Sequence, residues 1–149
     1  MNVPGIAGFA RALELCLAEL PAEAERLRSL RDRLFEGLKA AVSDVVLNGP
    51  ALSPAHLRLP GNLNVSFARV DGDALLLTNG GFAASTGSAC SSSCQEPSHV
   101  LSALGGDPDL VRGGVRFGLG RFNTLEEVEF VIGETERSVN RLRGMVCER

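Results

Sequence analysis

Between residues 48 and 67 the hydrophobic period of this chain changes, and that change limits what it can fold into. Before Asn48-Gly49-Pro50, apolar residues recur every three or four positions. After it, Leu63, Val65 and Phe67 alternate with Asn62, Asn64 and Ser66. The first pattern puts side chains on one face of a helix, the second on one face of a strand. A chain carrying both needs a short sheet with helices packed against it, so an α+β fold in two layers is expected.

The punctuation refines this. Residues 4–20 predict a helix, with Pro4 in its first turn and Ile6, Phe9, Leu13, Leu17 and Leu20 about one turn apart. Pro21 is expected to break that helix and open a second, with Glu23 and Glu25 in the first turn. Leu27, Leu30, Leu34 and Leu38 then form an apolar stripe opposite an Arg-rich outer face. Ala74–Leu77 reads as a short helix, Asn79-Gly80-Gly81 as a turn and Phe82–Ala84 as a short strand. Pro97 starts a helix that Gly105-Gly106 ends, and Val115, Phe117 and Leu119 form a strand. Thr124 and Glu127 make a capping box for a last helix bearing Val128, Val131, Ile132, Thr135, Val139 and Leu142. Residues 85–96 are small and polar, and such a stretch is expected to be a mobile loop.

Composition excludes some functions. The net charge is −3, which disfavours a nucleic-acid surface. There is no run of 18 apolar residues and no charged segment ahead of an apolar one, so neither a membrane span nor a signal peptide is read. Cys16, Cys90, Cys94 and Cys147 are too few and scattered for a disulfide framework, which favours a cytoplasmic chain with reduced thiols. Of 15 basic residues, Lys39 is the single lysine.

Three segments in order resemble the small domain of the NifS/IscS-type cysteine desulfurases, within the class V aminotransferase-like enzymes. They are Arg58-Leu-Pro-Gly-Asn-Leu-Asn-Val-Ser-Phe67, Ser85-Thr-Gly-Ser-Ala-Cys90 and Val115-Arg-Phe-Gly-Leu-Gly-Arg-Phe-Asn-Thr124. Glu96-Pro-Ser-His-Val-Leu101 and Val3-Pro-Gly-Ile6 fit as well, so the likeness covers nearly all of residues 1–149. The resemblance implies the small C-terminal domain of a fold-type I enzyme, closing onto a large domain that holds pyridoxal phosphate on a lysine. It implies a reaction in which L-cysteine becomes L-alanine and the sulfur stays on an enzyme cysteine as a persulfide. It further implies transfer to iron–sulfur scaffold or other sulfur-acceptor proteins, and a homodimer when complete.

Cys90 matches the family nucleophile. A thiolate is needed to attack the substrate sulfur, and a loop of Ser, Gly and Ala gives it reach. The alternative is a small polarizable residue in a surface loop. Arg116 matches the arginine that clamps the substrate carboxylate. Strand parity agrees, because with Val115, Phe117 and Leu119 inward Arg116 points away from the core. There a guanidinium offers two parallel hydrogen bonds to a carboxylate. A solvated or ion-paired arginine is the alternative, and Arg121, of the other parity, is read that way. Cys94 is not usual in the family, and is taken as incidental or as a resolving thiol. Neither His56 nor His99 completes a zinc spacing, so no metal is expected.

The cofactor's chemistry requires a lysine that binds it covalently. Lys39 lies on an amphipathic helix, outside any Ser/Thr-Gly-His stretch of the kind the family places before its lysine. The large domain is therefore expected to be missing, with no pyridoxal phosphate held by this chain alone. A cloned domain, a truncated frame and one half of a split enzyme all satisfy this expectation. A non-enzymatic sulfur carrier and a fragment of a selenocysteine lyase or another class V protein remain as alternative functions.

Overall fold

The computed structural model describes residues 1–86 and 98–147. The expected mobile loop, Cys90 and Cys94 lie outside the described residues, apart from Ser85 and Thr86 at the loop's start. The elements run α1 (Val3–Ala41), β1 (Val45–Leu47), a 3-10 turn (Ala55–Leu57), β2 (Asn62–Phe67), α2 (Gly72–Thr78), α3 (His99–Ala103), α4 (Pro108–Arg112), β3 (Gly114–Gly118) and α5 (Leu125–Cys147).

The sheet is antiparallel in the order β1-β2-β3, with Val45 opposite Phe67 and Asn64 opposite Arg116. As the alternation of β2 requires, Leu63, Val65 and Phe67 are fully buried. They meet Val115 and Phe117 of β3 beneath Leu34 and Leu38 of α1 and Val128, Ile132 and Val139 of α5. Burying one such side chain contributes about 1.5–3 kcal/mol, so this contiguous cluster fixes the two-layer arrangement. The capping box at the head of α5 is reciprocal. The Glu127 N–H donates to Thr124 Oγ1 at 3.3 Å, and the Thr124 N–H donates to Glu127 Oε2 at 3.1 Å.

Pro21 does not divide the first helix; α1 runs through it for 39 residues. Pro21 lacks one N–H and crowds the preceding turn. The flanking segment is rich in Ala, Leu, Glu and Arg, the strongest helix formers, and packing against α5 holds its second half. The first 22 residues of the chain are all exposed, including Ile6, Phe9, Leu13, Leu17 and Leu20. The Arg-rich outer face also needs correction at Arg31, whose side chain is 1% exposed and pairs with Asp32 at 2.7 Å. Phe82–Ala84 is not a strand; pairing begins one residue later, at Ser85. The short β1 and α4 were not anticipated, since three and five residues carry no legible period.

Candidate carboxylate-binding cleft

Arg116 sits mid-strand in β3, its neighbours Val115 and Phe117 buried and its own side chain exposed. This is the parity expected from the sequence. Across the ladder stands Asn64, and on the other side Ser85 exchanges backbone hydrogen bonds with Arg116. Arg116 is therefore held by backbone pairing on both flanks while its guanidinium stays clear of the core.

Behind Asn64 lies a fixed carboxamide network. Asn48 Nδ2 donates to Asn64 Oδ1 at 2.8 Å and to Ser66 Oγ at 2.9 Å. Arg58 closes the far side, its Nη2 donating to the Asn48 carbonyl at 2.7 Å and to the Pro50 carbonyl. Burial lowers the Arg58 pKa from its usual value, and the nearby positive charge of Arg31 lowers it further. Together Asn48, Arg58, Asn62, Asn64, Ser98 and Arg116 line a cleft of about 270 Å³, with Val100, Leu101 and Leu104 as its apolar part. None of these lining residues is acidic. Among the described residues, two arginines and three asparagines line the cleft without a carboxylate, an arrangement whose chemistry suits a small anion.

Ser98, which lines the cleft, also caps α3, accepting a hydrogen bond from the Leu101 N–H at 3.4 Å. Ser85, the first residue of the 85–96 stretch that contains Cys90, and Ser98, two residues past its end, both belong to the surroundings of Arg116. Cys90 itself lies outside the described residues.

Other residues singled out in the sequence lie elsewhere. Arg121 is past the end of β3, in a turn, where it pairs with Glu19 of α1. His56 and His99 are exposed, and no group of three or more potential metal ligands occurs among the described residues. Cys16 is an exposed free thiol on α1. Lys39 stands over the Phe35 ring, 5.3 Å from its centroid, and does not line the cleft. The described residues thus do not fit the lysine anchor that pyridoxal phosphate needs. Sequence reasoning missed Asn48 and Arg58 as members of the site. Arg58 opens the first family-like segment, but only the fold brings it beside Arg116.

A model of the aminotransferase class-V family matches residues 1–131. The chain is 51% identical over 145 residues to the cysteine desulfurase IscS of Anaeromyxobacter sp. (strain Fw109-5), covering 97% of this chain and 35% of that protein. It is 41% identical over 142 residues to the human cysteine desulfurase, covering 95% and 30%. Among solved structures, a NifS-like protein superposes with a TM-score of 0.74 at 32% identity, covering 94% of this chain and 34% of that one. The chain thus spans about a third of the length of the relatives it matches.

Proposed function

The chain belongs to the aminotransferase class-V family, and from that premise we propose that it is the part of a pyridoxal-phosphate-dependent cysteine desulfurase that carries the substrate clamp and the sulfur acceptor. The observation that carries the proposal is positional. An exposed arginine on a paired strand shares its surroundings with Ser85 and Ser98, near the two ends of the stretch that contains Cys90.

In this reading Arg116 takes the carboxylate of L-cysteine through paired N–H···O bonds, which fixes the orientation of the amino acid. Asn64 and Asn48 hold the opposite wall in register. The Cys90 thiolate attacks the substrate sulfur. The carbon–sulfur bond breaks, a sulfur–sulfur bond forms on Cys90, and a proton replaces sulfur on the carbon, giving L-alanine and a persulfide. Pyridoxal phosphate supplies the electron sink when bound. Its lysine is assigned to a large domain outside this chain, because Lys39 stands over Phe35 and does not line the cleft. The persulfide then passes to an acceptor protein such as an iron–sulfur scaffold, in the cytoplasm, from a homodimeric complete enzyme.

The test is a chimera in which this chain replaces the matching third of the Anaeromyxobacter sp. (strain Fw109-5) protein. L-Cysteine should yield equal amounts of alanine and, with a reductant present, sulfide. Cys90→Ala should reduce both to background. A folded, cofactor-loaded chimera that forms no alanine from L-cysteine would overturn the proposal.

A further inference from the structure

We propose that Arg58 is a second anion-binding residue of the Arg116 cleft, which therefore prefers a small ligand with two negative groups to one with a single carboxylate. This rests on reading Arg116 as a carboxylate clamp. It adds a residue, and a ligand class, that the clamp alone does not imply.

Arg58 is half-buried and lines the same cleft as Arg116. It forms no ion pair among the described residues, where most of the paired arginines have a carboxylate within about 3 Å. Its Nη2 is committed to the carbonyls of Asn48 and Pro50, which fixes the plane of the guanidinium. Its Nε is buried and has no hydrogen-bond partner among the described residues. A desolvated guanidinium with a donor left over, beside described lining residues none of which is acidic, is incompletely compensated, and an anion in the cleft would offset its charge. Desolvation and the neighbouring Arg31 both disfavour its charge, and an anion in the cleft relieves both.

The Arg58 tether is continuous with the wall that faces Arg116. Arg58 holds the Asn48 carbonyl, the Asn48 side chain holds Asn64, and Asn64 is the cross-strand partner of Arg116. The Arg58 guanidinium and the backbone that carries Arg116 are thereby held in one hydrogen-bonded framework. A volume of about 270 Å³ accommodates a ligand of several non-hydrogen atoms. The ligand class is a small molecule that carries two negative groups a few atoms apart.

The probes are acetate and malonate, titrated into the 149-residue chain at constant ionic strength and followed by amide shifts in nitrogen-15 NMR spectra. Malonate should saturate the shifts of Asn48, Asn64, Ser85 and Arg116 at roughly tenfold lower concentration than acetate, the gain of one more charge-assisted contact. Arg58→Gln should abolish the preference, so that malonate and acetate saturate the shifts at similar concentrations. Arg58→Lys, which keeps the charge but loses the fork, should retain part of the preference. Equal saturation by the two anions in the unaltered chain overturns the proposal whether or not the variants fold, and so does a malonate preference that survives Arg58→Gln. Arg116→Gln separates the two ideas: if it leaves both anions bound, the clamp reading fails, whatever Arg58 does.

Discussion

Ser85 and Arg116 exchange a pair of backbone hydrogen bonds, the Ser85 N–H donating at 3.0 Å and the Arg116 N–H at 2.6 Å. This single bridge ties the residue that begins the Cys90 segment to the strand that carries the proposed clamp. Ser85→Pro removes the donor and should break the bridge without touching the core beneath β3. In the chimeric enzyme it should lower sulfide formation at least tenfold, with a much smaller change in melting temperature. If turnover is unaffected, the bridge does not position the segment.

Arg116→Ala and Arg121→Ala should separate cleanly in the same chimera. Loss of the clamp removes a charge-assisted contact of about 1.5–3 kcal/mol, so kcat/KM should fall roughly tenfold to over a hundredfold. Arg121 pairs with Glu19 at a site where both side chains are about half exposed, and such surface pairs contribute about 0–1 kcal/mol. Its removal should leave kcat/KM within about twofold. Equal losses at the two positions would refute the assignment of Arg116.

Much of this arrangement was legible in the sequence because it follows local period. The alternation around Leu63, Val65 and Phe67 fixes β2, and the parity of Val115 and Phe117 leaves Arg116 outward. Thr124 and Glu127 mark the start of α5 by a reciprocal contact three residues apart. What stayed hidden depends on distance in space. Arg58 and Asn48 join the site only because β1 lies beside β2. Pro21 illustrates a local rule overruled, since tertiary packing of the following turns carries α1 past a residue that disfavours helix.

Arg26 should matter for stability as Arg121 does not. Its guanidinium donates to the carbonyls of Asn123 at 2.7 Å, Gly120 at 3.1 Å and Arg121 at 2.9 Å, joining α1 to the turn after β3. Arg26→Met should destabilise the chain by about 1–3 kcal/mol in urea unfolding. An unchanged midpoint would mean that water replaces the guanidinium without loss.

Acid should weaken the same region. The hydrogen bond from Arg26 holds the Glu23 carboxyl below its usual pKa of 4.5. Asn123 and the Thr124 backbone do the same for Glu127. Both folded pKa values are depressed, so the stability they contribute is present above about pH 4.5 and is lost as pH falls through the lower folded values. Glu23→Gln with Glu127→Gln should flatten the dependence of the urea midpoint on pH below about 4.5. An unaltered slope would assign acid sensitivity to other carboxylates.

Arg31 carries the charge that the helical pattern places outside and the fold buries. Its side chain is 1% exposed, bonded to Asp32 at 2.7 Å, and its Nη1 has no partner among the described residues. Removing a guanidinium from water costs several kcal/mol, and a half-exposed carboxylate with one nitrogen left over repays only part of that. Replacing the charge with an apolar side chain of similar reach should therefore be nearly neutral or stabilising, whereas removing only its partner should not. Arg31→Met should leave the urea midpoint of the chain unchanged or raised. Asp32→Asn leaves the buried cation without its counter-charge and should destabilise by about 3–5 kcal/mol, less to the extent that water reaches the half-exposed position of Asp32. Should Arg31→Met prove the more damaging of the two, the buried guanidinium contributes net stability, and this reading of its energetics fails.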